Sequence, residues 1–354
     1  MSDAGQSMVS VSGTGQPADE PQAPSSVYFY EPNRAAAIFF AAAFAVVALL
    51  HLWQSIYYRC FRLATVLVFS SALLTAGFAV RGYGTFHNDD AQIYTASMLL
   101  IYLAPPLIQV ANYHILCRIF YFIPYCAPMH PTRLLVTSAT FCAVIELLTA
   151  IGVSYLANSN VADRFIDMGV TLAKTSLVLQ ILVISAFLIL AGISNKACRA
   201  GRITNPKVIR PFMATYVSML LILARTIYRT VDHFAAPPPI NVDFSGLDPL
   251  SLRPTIRYEW YFYVFEAAPL LLSLALWNLW HPRHFLPESY KTYLAQDGKT
   301  QLQGPGWKDT RTLAETFFDP FNALLNRGGH QKPFWENNGY AFKTARRKRG
   351  PGRV

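Results

Sequence analysis

Seven stretches of roughly 20 apolar residues recur along this chain, each matching the span of a ~30 Å hydrocarbon core. They lie at Ala35–Trp53, Leu63–Val80, Ile93–Leu116, Leu134–Ala157, Gly169–Ser194, Ile209–Thr230 and Trp260–Trp280, joined by short polar connectors and without any period-2 strand pattern. In hydrocarbon the backbone must satisfy its own hydrogen bonds, so runs of this length predict helices. Any one run could be a buried helix of a water-soluble protein. Seven in series would then need a charged surface that the chain lacks, with 53% hydrophobic residues against 14% charged and a mean hydropathy of +0.27. The predicted fold class is all-α: a polytopic membrane protein with seven transmembrane helices.

Polar ends bracket this apolar centre. Residues 1–34 read as a disordered extracellular tail, 35–282 as the transmembrane domain and 283–354 as a basic cytosolic tail. The first 26 residues are rich in Ser, Gly, Gln and Pro, too polar to pack. They also lack the basic and apolar segments of a cleavable signal peptide, so insertion is expected to start from the first hydrophobic helix.

Orientation follows from loop charge. Arg59 and Arg62 follow the first run, Arg118 and Arg133 flank the connector after the third, and Lys196, Arg199, Arg202, Lys207 and Arg210 surround that after the fifth. None of these three connectors holds an acid. The alternate set holds Asp89, Asp90, Asp163, Asp167, Asp243 and Asp248. Basic loops stay in the cytosol, which predicts the N-terminus outside and the C-terminus inside. The segment from Arg283 onward agrees, with 13 Lys/Arg against 6 Asp/Glu. Cys60, Cys117, Cys126 and Cys198 fall in or beside predicted cytosolic loops and Cys142 inside the fourth helix, so no extracellular disulfide is expected. The basic run Arg346–Arg349 suits anionic lipid or plain solvation, and no nucleic-acid partner is implied.

Ionisable residues are costly inside a membrane, at least ~2.5 kcal/mol each at a helix centre. Arg225, Arg229 and Asp232 are spaced by four and three on the sixth helix, and Glu259, Tyr263 and Glu266 likewise on the seventh, so each set shares one face. The two helices run antiparallel. Arg225 and Glu266 each lie roughly 7–10 Å inside the outer ends, which predicts that they pair, with Arg229 facing Glu259 nearer the surface. Such a cluster can act as a clamp between two helices, as an anchor for the headgroup of an amphiphile, or as a proton site carried by Glu266. Glu146 in the fourth helix and Lys174 in the fifth stand apart. Their depths differ by roughly 9 Å, and Lys174 can snorkel outward.

Pro105 and Pro106 are expected to interrupt the third helix and Pro269 to bend the seventh. His51, His114, Gln54, Gln109 and Asn112 offer an inner polar lining, while His281 and His284 flank Pro282 as interfacial residues rather than as a metal pair. Gly298–Lys299–Thr300 has Tyr293 where a phosphate-binding loop needs its first glycine. No zinc, paired-cysteine or nucleophile-elbow motif is present. No catalytic residues, metal or cofactor are therefore predicted, and oligomeric state leaves no signature.

The sixth helix carries Arg225, Tyr228, Arg229 and Asp232 in the pattern Arg-x-x-Tyr-Arg-x-x-acidic. This resembles the fungal RTA-like, or lipid-translocating exporter, family. Glu259, Tyr263, Glu266 and His281–Pro282 of the seventh helix resemble it too, as do Gly77, Phe78 and Arg81, Ala104–Pro105, and the stretch from Tyr28 to Pro32. The resemblance covers roughly residues 28–285. Departures are Leu74 where the family has Glu, Cys142 and Thr149 where it tends to Asp and Gln, and Glu266 where Asp is usual. What the resemblance implies is a plasma-membrane protein that moves or releases amphiphilic lipids such as sphingoid long-chain bases, or gives resistance to toxic amphiphiles. Its partners would be membrane lipids and an amphiphilic small molecule. A seven-helix chemoreceptor is the alternative reading; an intramembrane lipid hydrolase is a further one, for which no catalytic set assembles.

Overall fold

A computed structural model of the protein describes residues 32–87, 90–157, 162–235, 254–295, 297–307, 315–316, 319 and 343–344. The first helix, Arg34–Tyr57, starts where the Asn33 side chain accepts a hydrogen bond from the Ala36 amide at 3.1 Å, satisfying a donor that every helix start leaves open. The second helix, Phe61–Gly84, follows at once. Asp90 caps the third, Ala91–Phe122, by accepting from the amides of Gln92 and Ile93. Prolines open the fourth, Pro131–Ala157, and the sixth, Pro206–Ala235, at the one helical position where a missing N–H costs nothing. The fifth, Asp163–Ala200, has 38 residues; at ~1.5 Å per residue it outreaches a ~30 Å core.

The seventh span, Trp260–His284, is composite. One α turn (Trp260–Phe262) leads into a π turn (Tyr263–Ala267), then α-helix over Ala268–Leu279 and a 3-10 turn over Pro282–His284. Pro269 is the reason for the irregularity: its ring lacks an N–H and crowds the carbonyl four residues earlier, and a π turn relieves both. The third helix behaves differently. The predicted interruption at Pro105–Pro106 is absent, and one helix runs through both residues, because both are buried among neighbouring helices that hold the chain on course.

All seven predicted spans are therefore helices long and apolar enough to cross a membrane, and the protein is an all-α multi-pass membrane protein. Apolar side chains such as Phe39 (61% exposed) and Leu182 (59%) point outward, as lipid contact requires. The first helix begins on what is here called the N face, and the seventh ends on the opposite C face. Asp89, Asp243 and Asp248, the tail 1–31 and the run Arg346–Arg349 lie outside the described residues.

The second helix packs between the first and third, the fourth on the fifth, and the sixth against the third, fifth and seventh. Two glycines permit the closest approaches. A Cβ at Gly77 would stand 2.7 Å from Ile101 Cγ1, and one at Gly152 would stand 2.9 Å from the Gly169 carbonyl. Phe40, Phe44 and Phe78 stack between the first and second helices, and Tyr263 joins them 5.3 Å from Phe40.

The segment expected to be a tail from residue 283 is folded over at least its first part. Strand β1 (Thr292–Leu294) pairs antiparallel with β2 (Gln301–Gln303), and β3 (Lys343–Thr344) adds to β2. The hairpin turn uses Gly298 at φ 69°. There the Asp297 carboxylate accepts from the Thr300 hydroxyl and the Lys299 and Thr300 amides, which hold it below the usual carboxylate range. The hairpin docks on the C-face loops: Tyr125 donates to the Ala295 carbonyl, Asn205 to that of Gly298, and His130 meets Trp307.

Candidate functional site

The sixth and seventh helices bring together the ionisable residues that their spacing singled out. Arg225 is 3% exposed and donates twice to one oxygen of Glu266, through Nε at 2.8 Å and through Nη2. Arg229 lies one turn along the same face. Its Nη1 is 4.0 Å from that same Glu266 oxygen, and its guanidinium lies 3.8 Å from the centroid of Tyr102 on the third helix. Two arginines thus converge on one carboxylate. The fourth helix supplies a second acid: Glu146, half-buried, lies within Coulombic range of Arg229 and Arg225. Among the described residues Glu146 makes no ion pair at contact distance with either. Arg229 is the more open of the two arginines, at 15% exposure.

Glu259 does not face Arg229 as its spacing predicted. Its Oε1 accepts from Arg81 Nη2 at 2.7 Å and from the Tyr263 hydroxyl at 3.1 Å, and its Oε2 accepts from the Asn33 amide at 2.6 Å. One carboxylate therefore ties the starts of the first and seventh helices to the end of the second. The π turn explains the change of partner. It advances each residue by less than an α turn does, so Glu259 and Glu266 leave a common stripe and turn to different neighbours. Arg81 is 1% exposed and sits 4.4 Å from the centroid of Phe262.

Of the remaining predicted residues, Tyr228 stacks on Phe265 at 5.1 Å, and Asp232 accepts from the Thr255 hydroxyl at 2.6 Å. Asp232 also lies within Coulombic range of Arg229. Lys174 lies 5.3 Å from the ring of Phe234 and makes no ion pair with Glu146 among the described residues. The supposed inner lining mostly ties helices together instead. His51 bonds the Leu274 carbonyl, Gln54 the Asn278 carbonyl, and Asn112 accepts from the Trp277 indole. His114 lines a cavity at the C face. Among the described residues no group of side chains is placed to hold a metal ion. Tyr102 and Asn33 were missed. Neither carries a charge, and nothing in the local pattern of the third helix, or at the start of the first, marks a partner on another helix.

The arrangement is two-sided. The Glu259 set is closed, with every carboxylate oxygen engaged. The Arg225–Glu266–Arg229 set leaves one arginine loosely held and one acid unpaired at contact distance, so a charged group entering there would find both signs.

The family described as RTA1 like protein matches residues 67–289, which contain all of these charged positions. The chain is 36% identical over 291 residues to the lipid-translocating exporter-like protein RTA1 of Leptosphaeria maculans, covering 79% of this chain and 55% of that protein. It thus spans about half the length of that relative. It is 28% identical over 262 residues to a protein of the same name from Ajellomyces capsulatus (70% and 77% covered). It is 24% identical over 278 residues to a protein of Emericella nidulans named "Probable lipid transporter atnI" (74% and 68% covered). No solved structure matches.

Proposed function

The chain belongs to the RTA1-like family, and from that premise we propose that it moves amphiphilic lipids across, or releases them from, the membrane it spans. The favoured substrates are single-chain amphiphiles with a basic headgroup, such as sphingoid long-chain bases, and the cellular consequence is resistance to toxic amphiphiles. The names of its relatives, all of lipid transport or export, support the general reading. The basic C-face loops support an orientation with the N-terminus outside and the C-terminus in the cytosol, and the family resemblance implies the plasma membrane.

One observation carries the finer reading. Glu146 is a half-buried acid, unpaired at contact distance among the described residues, within Coulombic range of Arg229 and Arg225. A carboxylate at membrane depth without an ion pair is expensive, and an ammonium headgroup would supply one. Arg229, loosely held under Tyr102, can shift as the headgroup enters, and Tyr228 and Asp232 stand at the approach. The outward-facing apolar surface leaves the tail in lipid.

The test is reconstitution of the full chain in liposomes with a fluorescent sphingoid base, with and without a proton gradient. Glu146→Gln and Arg229→Gln should each lower flux at unchanged protein content. If wild-type vesicles move no amphiphile while cells still answer the added base through the C-terminal segment, the protein is a receptor.

A further inference from the structure

Away from the charged cluster, the C face holds a cavity of about 450 Å³ between the ends of the first, third and seventh helices. Its lining is basic. Arg59 comes from the turn after the first helix, Arg118 from the last turns of the third, and Arg283 from the exit of the seventh; His114 and His281 stand beside them. Glu288 is the one acid in the lining, and it is already paired with Arg283 at 2.6 Å. Three guanidinium groups thus face one carboxylate.

These arginines are held in different ways. Arg118 donates to the carbonyls of Pro287 and Glu288 and lies 3.9 Å from the Tyr290 ring centroid. Arg59 is exposed, and it makes no ion pair or side-chain hydrogen bond among the described residues. Its backbone is unusual, with φ at 51°. The first helix closes there with the Cys60 amide bonded to the Ser55 carbonyl and the Arg59 amide to that of Ile56. Glycine normally occupies that left-handed position, because a Cβ is strained in it.

The helix ends that carry this lining also present apolar and aromatic side chains. Trp53, Ile56 and Tyr57 at the end of the first helix are exposed, and so are Leu279 and Trp280 at the end of the seventh. A soluble anion would gain nothing from them. A molecule with a phosphate head and acyl tails would use both parts, with guanidinium groups gripping the phosphate and the aromatic rim meeting the chains at the interface.

The geometry points to a headgroup site for an anionic phospholipid of the C-face leaflet, built by Arg59, Arg118 and Arg283. The site is separate from the Arg225–Glu266–Arg229 set and does not depend on transport. The helix dipole alone would also welcome a cation at a helix end, so the experiment needs a control on the same face. Arg202 provides it. It occupies the equivalent position after the fifth helix, at φ 53°, with the same pair of capping bonds, but it does not line this cavity.

Full-length protein in detergent is titrated with phosphatidylserine, phosphatidylcholine and soluble glycerol 3-phosphate, read by native mass spectrometry and by the thermal midpoint. Phosphatidylserine should be retained over phosphatidylcholine, and glycerol 3-phosphate at equal concentration should not displace it. Arg59→Gly relieves the backbone while removing the charge, so its thermal midpoint should hold or rise while phosphatidylserine binding weakens about fivefold. Arg202→Gly should leave the binding unchanged. Equal losses from Arg59→Gly and Arg202→Gly would mean diffuse surface charge and overturn the site. So would unchanged binding in Arg59→Gly. Binding of glycerol 3-phosphate as tight as that of the lipid would make this a site for a soluble phosphate ester instead.

Discussion

Arg225 and Glu266 are 3% and 2% exposed, so removing either leaves the other as a buried charge without its closest partner. Arg225→Glu or Glu266→Arg alone should cost roughly 3–5 kcal/mol. The double swap should recover a good part of it, as read by protein level and thermal midpoint; no recovery would mean that the pair is not the unit the structure shows. Glu259 calls for a different expectation. Its carboxylate holds three elements at once, so Glu259→Gln should lower stability by roughly 3–5 kcal/mol, because it leaves the Arg81 guanidinium as a buried charge without its partner. Arg81→Gln should cost a similar amount, and the two together should cost clearly less than their sum, because they break the same contact. A strictly additive double-mutant cycle would sink the Arg81–Glu259 assignment. Stability, rather than flux, is where Glu259 should be felt.

At the level of elements, the π turn at Tyr263–Ala267 decides which neighbour each glutamate meets. Pro269 favours it by denying the seventh helix a regular hydrogen bond. Pro269→Ala restores that donor and raises helix propensity, so the segment should relax towards plain α-helix and turn Glu266 away from Arg225. Transport of a fluorescent amphiphile should fall, and in this background the double swap of Arg225 and Glu266 should recover no stability over the single swaps. Full transport, with the Arg225–Glu266 coupling intact, would show that the turn is set by packing and not by the proline. The two prolines of the third helix, themselves buried, do not break its helical run.

For the whole molecule, the alternation of basic and acidic loops makes orientation a direct prediction. Glycosylation acceptors inserted near Asn88, Ser159 and Ser245 should be modified in cells and one near Thr204 should not; modification near Thr204 alone would invert the protein. The folded hairpin that follows the seventh helix belongs to this scale too. It joins the loops after the third and fifth helices through Tyr125, His130 and Asn205, so that part of the C face is covered by chain that composition alone describes as a basic tail.

The seven spans were legible in the sequence because apolar length is a local property: a run such as Ala35–Trp53 needs a helix in lipid whatever lies beside it. The meeting of Arg225 with Glu266 was legible for a related reason, since two antiparallel helices joined by one loop bring equal depths together. The partner of Glu259 was not. Arg81 is distant in sequence, and only the packing of the second helix against the first, together with the rotation imposed by the π turn, brings its guanidinium to that carboxylate. Tyr102 under Arg229 and the basic cavity around Arg59 are of the same kind. Depth and periodicity are read along one helix, whereas the neighbour a side chain meets depends on how every helix is turned about its own axis, which the assembled bundle alone settles.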